Sequence, residues 1–246
     1  MNSDFTLCWS FKNRPKIFLN SLYSADRFFP RDVKFLLVDG GSDQDTLKDV
    51  RNACNRLDRE CRIIEAGKNS LWEAWNYCLL FSDTRYVIYS SSDVFFLRSG
   101  CLEYIQEKVK EKFEYILCGN HAVFCLDKQA VAKIGFWDES FKNGPHADCD
   151  YMIRASESGV SLLCGENHWY IHGDSPEETI KRVSSEVEDR LPMNSFENED
   201  YFKLKWGGNW TWRGQNTNNL PHPPTHISQV TRKLTEPQYN YLRKCL

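Results

Sequence analysis

Two rhythms alternate along the first part of the chain: short apolar runs, then stretches in which apolar residues return every three or four positions. Phe5 to Ser10 is a short apolar run, and Asn13-Arg14-Pro15 opens a stretch where Phe18, Leu22 and Ala25 recur at helical spacing. The chain therefore begins strand, turn, helix. Val33 to Val38 reads as a second, buried strand stopped by Asp39-Gly40-Gly41. Behind it Ser42, with Asp45 three residues on, resembles a capping box, and Leu47, Val50, Cys54 and Leu57 form one apolar stripe. Cys61 to Glu65 gives a third strand, and Leu71 to Phe81 a third helix carrying Trp72, Trp75 and Leu79. Arg85 to Tyr89 is a fourth strand, running into Ser90-Ser91-Ser92-Asp93. Such alternation predicts an α/β domain on a mostly parallel sheet with helices on both faces, its ligands held beyond the carboxyl ends of the strands. Asp39 and Asp93 stand at such ends.

Further along, the pattern predicts a helix near Cys101 to Phe113, a strand Tyr115 to Cys118, and a helix near Lys128 to Ile134 closed by Gly135. Another helix runs from about Asp148 to Ser158, with Gly159 where a C′ glycine is expected, followed by the apolar run Val160 to Cys164 and by Trp169-Tyr170-Ile171-His172. From about Tyr201 the composition changes to seven Lys/Arg against one Glu, rich in Trp, Asn, Pro and Tyr. This predicts an extended basic arm over residues 201–246 instead of another layer of the sheet.

With 246 residues, the chain is long enough for one sizeable domain or two small ones. A hydrophobic fraction of 41%, an aromatic fraction of 14% and a charged fraction of 26% exclude disordered, collagenous and repeat-array classes. The net charge of −3 removes any global pull toward nucleic acid or anionic membrane, leaving only local patches such as the arm. Ten scattered cysteines without a CxxC pair, a start lacking signal-peptide character, and no apolar run near the ~20 residues a bilayer requires together predict a cytoplasmic protein whose thiols are reduced core fillers.

Carboxylates at the mouth of a parallel sheet, without a glycine-rich lysine-bearing phosphate loop, suit a Mg²⁺ or Mn²⁺ ion that holds a diphosphate, because such ions take few protein ligands and complete their shell from phosphate oxygens. Asp93 is the candidate ligand on these grounds; on position alone it is equally a turn or cap aspartate, and Asp39 equally the carboxylate of an Asp-Gly turn.

Five segments in order then carry a resemblance to family 2 glycosyltransferases of the GT-A fold, from about Thr6 to Ser175 and more weakly to Gly208. SFKNRP resembles the family's opening strand-turn and LLVDGGSDQDT its second strand and Asp-x-x-Ser-x-Asp turn. YSSSDVFF lies where the metal-binding DxD-type motif belongs, and IGFWDESFKNGPHADCDYMIRASESG is similar to the stretch holding Glu-Asp-x-Asp. WYIHGDS resembles the late strand ending in histidine, with YFKLKWGG as a weaker match beyond it.

The resemblance implies a Rossmann-like three-layer GT-A domain over 1–200, with a nucleotide-sugar-binding half to about 95 and an acceptor-binding half from about 96, then the C-terminal extension. It implies that Asp39 binds the nucleobase or ribose, that Asn13, Arg14 and Pro15 line that pocket, and that Ser92 and Asp93 meet the donor, Asp93 through the metal. His172 completes the metal or diphosphate site, or is a hydrogen-bonded core histidine. Asp148 is implied as the catalytic base of an inverting transfer, with Asp150 as a fallback. Two departures stand out: Ser91 replaces the first Asp of the DxD-type motif, and Ala147 the Glu before the base. Asp43 is either a pocket residue or a helix cap, and Asp138 and Glu139 either a packed turn or acceptor contacts. Trp72 and Trp75 read as core, while Trp206, Trp210 and Trp212 either stack on an acceptor or dock the tail.

The function expected is inverting, metal-dependent transfer from a UDP- or dTDP-sugar to an acceptor hydroxyl, most readily of a glycan. The same chemistry on a hydroxylated base of modified DNA, reached through the basic aromatic arm, and a catalytically inactive nucleotide-sugar-binding module are the alternatives.

Overall fold

The computed structural model describes residues 3–67, 69–141, 146–173 and 195–206. In chain order its elements are β1 (Phe5–Phe11), α1 (Pro15–Phe28), β2 (Lys34–Asp39), α2 (Gln44–Cys54), β3 (Cys61–Glu65), α3 (Leu71–Phe81), β4 (Tyr86–Ser90) and β5 (Val94–Phe96). They continue with α4 (Cys101–Lys110), β6 (Tyr115–Cys118), β7 (Asn120–Asp127), α5 (Lys128–Ile134), α6 (Ala147–Glu157), β8 (Leu162–Gly165), β9 (Tyr170–His172) and α7 (Ser195–Trp206).

Among the described residues, seven strands form one sheet in the order β3-β2-β1-β4-β7-β6-β8, and β5 pairs with β9 in a separate two-stranded ribbon. The first four strands are mutually parallel, β7 runs against both β4 and β6, and β8 is parallel to β6. The mostly parallel sheet expected is thus present, with β7 as its one reversed member.

Strand alternation fills both faces. Leu7, Trp9, Phe35, Leu37 and Ile88 face α1, α2 and α4, where Phe18, Leu22, Leu47, Val50 and Ile105 meet them. The intervening Cys8, Leu36, Val38, Val87 and Tyr89 face the other way, onto Trp72 and Trp75 of α3 and onto α5 and α6. The inner strands β1, β2 and β4 are buried on both sides, as a sheet covered on both faces requires. Trp72 and Trp75 meet edge to face at 5.2 Å inside this core, with Trp75 also against Trp137 at 4.8 Å, so the reading of both as core is correct. Seven of the nine described cysteines are buried, as core fillers would be.

Three local expectations change. The cap of α2 is Asp43, whose carboxylate accepts from Thr46 N at 2.7 Å, and not Ser42; that hydrogen bond is the leading reason the Asp43 carboxyl lies below its ordinary value. Strands β5 and β7 were not anticipated: β5 is three residues long, and β7 follows β6 after Gly119 alone, whose φ of 89° supplies the tight reversal. Residues 201–206, expected in an extended arm, are the end of a helix that crosses residue 200 and packs on α6.

Candidate active site

Two loops interlock at the carboxyl end of the sheet. Gly40 N donates to Phe11 O at 2.8 Å, Asn13 N to Ser42 Oγ at 2.8 Å and Asp43 N to Asn13 Oδ1 at 3.0 Å. Within this knot Asn13 and Arg14 both hold left-handed backbone, φ 50° and 54°, directly before Pro15 at the start of α1. Side chains rarely occupy that region, which costs on the order of 1 kcal/mol per residue and persists where surrounding structure enforces it, often at functional sites. Asp39 closes β2 and folds its carboxylate back onto Gly41 N and Ser42 N at 3.0 to 3.2 Å. The Asp-Gly turn role expected of Asp39 is thus present, its carboxylate held by two backbone amides. Asn69 belongs here too and no sequence pattern singled it out: its Oδ1 lies 3.2 Å from where a Cβ on Gly40 would stand, and its Nδ2 is buried without a hydrogen-bond partner.

The neighbouring strand end carries Asp93. Because β5 pairs antiparallel with β9, Val94 sits opposite His172, and His172 Nε2 stands 3.1 Å from Asp93 Oδ1. Burial pushes the Asp93 carboxyl upward, but the His172 hydrogen bond and charge, with Arg14 nearby, outweigh it and leave the group below its ordinary value. It is an anion at neutral pH. Among the described residues Arg14 Nε is buried with no hydrogen-bond partner, the kind of orphaned donor a phosphate oxygen satisfies. Gly173 leaves room for this group, since a Cβ there would lie 2.9 Å from Asp93 Cβ and 3.1 Å from its Oδ2. These residues fit a divalent ion holding a diphosphate. Asp93 and His172, 3.1 Å apart, would hold such an ion, and no cluster of three or more ligating side chains occurs among the described residues. Ser92 directly precedes Asp93 in the β4–β5 turn, where Ser91 N donates to Ala122 O at 2.8 Å.

That last bond joins the Asp93 loop to the start of β7, where His121 reaches Asp148. Asp148 is the second residue of α6, 16% exposed, its Oδ2 3.7 Å from His121 Nδ1. Asp150 is not a usable base. Its carboxylate is fully buried and holds Lys205 Nζ at 2.7 Å, Trp206 Nε1 at 2.9 Å and Arg154 Nε at 2.9 Å.

The expected acceptor contacts are corrected by the same network. Asp138 accepts from Lys205 Nζ at 2.7 Å, Tyr201 OH at 2.9 Å and Ser140 N at 2.9 Å, the packed-turn role. Glu139 accepts from Asn76 Nδ2 at 2.9 Å, tying its loop to α3. Trp206, 2% exposed and bonded to Asp150, has no face left for a sugar. Trp210 and Trp212 lie outside the described residues.

Carboxylates at the carboxyl ends of a mostly parallel sheet, with a knotted first turn, define an α/β domain whose candidate site lies at the strand ends. The model of the family "Glycosyl transferase family 2" matches residues 6–155. The chain belongs to that family, and its fold is the GT-A glycosyltransferase fold. Among curated proteins no significant match is found. Solved structures similar in fold include TarS of S. aureus, with TM-score 0.57 and 15% identity over 83% of this chain and 42% of that one. The mannosyltransferase PcManGT from Pyrobaculum calidifontis, in complex with GDP-Man and Mn²⁺, gives 0.58 and 13% over 83% and 71%. GalNAc-T7 with UDP, GalNAc and Mn²⁺ gives 0.60 and 12% over 81% and 49%. The chain thus spans less than half of TarS and of GalNAc-T7. No helix among the described residues is long and apolar enough to cross a membrane.

Proposed function

We propose that the chain is an inverting glycosyltransferase that moves a sugar from a UDP- or dTDP-sugar to an acceptor hydroxyl, most readily of a glycan. The observation that carries it is the meeting of Asp93, His172 and the orphaned Arg14 Nε at one strand end, joined through the Ser91 to Ala122 hydrogen bond to the strand whose first residues face Asp148. The neighbours solved with UDP-GlcNAc, with GDP-Man and Mn²⁺, or with UDP and Mn²⁺ support a nucleotide-sugar donor and a divalent ion.

In this reading the Asp39 turn, the Asn13-Arg14-Pro15 knot and Asn69 hold the base and ribose. Asp93 and His172 hold Mn²⁺ or Mg²⁺, which when bound neutralises charge developing on the departing diphosphate. Arg14 donates to a phosphate oxygen. Asp148 takes the proton of the acceptor hydroxyl as its oxygen bonds to the anomeric carbon and the bond to the nucleotide diphosphate breaks. One displacement inverts the centre, so no covalent enzyme nucleophile is required. The buried thiols support a reducing, cytoplasmic setting.

The test is nucleotide release from a panel of UDP-, dTDP- and GDP-sugars with Mn²⁺ and candidate acceptors, run beside Asp148→Asn. Loss of the base should lower transfer by about 10²- to 10⁴-fold with donor affinity unchanged. Undiminished transfer by Asp148→Asn removes Asp148 from its role. Nucleotide binding without release from any donor would favour the inactive module.

A further inference from the structure

The mechanism above leaves one buried polar group unused. His121, near the start of β7, is 11% exposed and packed among rings, with Phe124 at 5.6 Å, Tyr115 at 6.1 Å and Trp137 at 6.5 Å between centroids. Its two nitrogens face different partners. Nε2 lies 2.7 Å from the hydroxyl of Tyr115, while Nδ1 lies 3.7 Å from Asp148 Oδ2.

The tautomer follows from counting protons. Tyr115 is fully buried, and burial keeps its hydroxyl protonated by pushing its pKa well up. The hydroxyl makes one hydrogen bond among the described residues, to His121 Nε2. If Tyr115 donates, Nε2 is the acceptor and the imidazole proton sits on Nδ1, facing the carboxylate. If Nε2–H donated instead, the tyrosine proton would be buried without an acceptor and the Nδ1 lone pair would face an anion. Both are unfavourable.

We infer that His121 is a positioning residue for Asp148: with its tautomer set by Tyr115, it presents Nδ1–H to the carboxylate and so fixes the oxygen that faces the acceptor hydroxyl. The inference rests on reading Asp148 as the base. At 3.7 Å the contact is electrostatic, longer than a hydrogen bond. Contacts of this kind commonly tighten once substrate is bound. Asp148 Oδ1 already accepts from Cys149 N at 2.9 Å, and residue 147 is a buried alanine, so His121 from β7 acts on the other oxygen, Oδ2.

The surroundings leave the imidazole neutral. Burial lowers the His121 pKa and the Asp148 charge only partly opposes it. The other titratable groups near the Tyr115 to His121 pair are Tyr151 and Cys149 of α6 and Cys164 of β8, and burial raises each of them out of the neutral range. Asp148 is the charged neighbour.

Two measurements on the full chain test this. The first is ¹⁵N NMR of the imidazole rings, assigned by His121→Phe. Wild type should show the Nδ1–H form at neutral pH, Tyr115→Phe should admit the Nε2–H form, and Asp148→Asn should move the ring titration to lower pH. An Nε2–H ring in wild type, or a titration indifferent to Asp148→Asn, overturns the inference without any activity measurement. The second is kinetic: His121→Phe should lower kcat by about 10- to 100-fold with the donor KM within a factor of about two, since a misplaced catalytic group is felt in turnover. His121→Asn, which can place an amide N–H near the lost Nδ1–H, should recover most of it. Equal losses in the two variants overturn the inference. If Asp148→Asn abolishes transfer while His121→Phe does not slow it, only this inference fails. If Asp148→Asn is active, the base assignment fails with it.

Discussion

Lys205 is the test of how α7 is held to α6, the helix bearing Asp148. Its ammonium, 1% exposed, stands 2.7 Å from Asp138 Oδ2 and 2.7 Å from Asp150 Oδ1, with Arg154 as the other cation of the cluster. Lys205→Met keeps the stem and removes the charge, leaving two buried carboxylates to one guanidinium. Removing one partner of a buried pair typically costs about 3–5 kcal/mol. Tyr201, Ser140 and Trp206 still donate to the two carboxylates, so the lower end, about 3 kcal/mol, is expected. For a domain of this size that is a fall in Tm of about 6–12 °C. The pH dependence gives the sign. Burial raises the Asp138 carboxyl, but Lys205 outweighs it and holds it below its ordinary value. Its contribution is therefore present above the unfolded carboxylate pKa, near 3.9, and is lost as pH falls through the still lower folded value. In Lys205→Met burial dominates and Asp138 protonates more readily, so the Tm deficit should be large at pH 7 and shrink toward pH 4.5. Adding Asp138→Asn should restore part of the loss, read as a double-mutant cycle by calorimetry. A deficit below about 2 °C at pH 7, or one equal at both pH values, refutes the reasoning.

Two further outcomes are expected. Gly173→Ala places a Cβ within 3.2 Å of three Asp93 atoms, so the carboxylate must shift; donor affinity with Mn²⁺, measured by calorimetry, should fall while Tm changes little, and unchanged affinity would count against Asp93 as ligand. Arg59, whose side chain is fully buried, donates to the carbonyls of Asp26, Phe29, Pro30 and Val33 and to the Asp26 carboxylate. Arg59→Lys keeps the charge and loses the planar fork, so chemical denaturation should show a loss of about 2–4 kcal/mol, and a loss under 1 would sink that account.

The first three strand-helix units and the fourth strand were legible because short apolar runs alternate with stretches whose apolar residues return every three or four positions. Strand β7 was not, because HAVFCLD is a continuous apolar run with neither period, one glycine away from the preceding strand. Losing β7 meant losing His121, which sits six positions from Tyr115 and 27 from Asp148 in the chain. The signal available was a polar Gly-Asn-His step opening an apolar run. Trp206 is a different case: beside glycines in a basic, aromatic stretch it reads either as a stacking platform or as a docked indole, and the structure has the second, its indole bonded to Asp150, a residue 56 positions earlier.

What the chain's order of residues determined by itself was local: the strand-helix alternation, the capped turns at Asp39 and Asp93, and the family those turns announce. Periodicity and turn chemistry act over a few residues, so they can be read from spacing alone. Which carboxylate stays partly exposed beside His121 and which becomes a buried strut was decided only by tertiary packing. Asp148 and Asp150 differ by two positions on one helix, a rotation of about 200° at 3.6 residues per turn. That rotation sends one toward His121 and the other into Lys205, Arg154 and Trp206. The partners that distinguish them come from β7 and α7, and their charges and burial exist only once the sheet has brought those elements together.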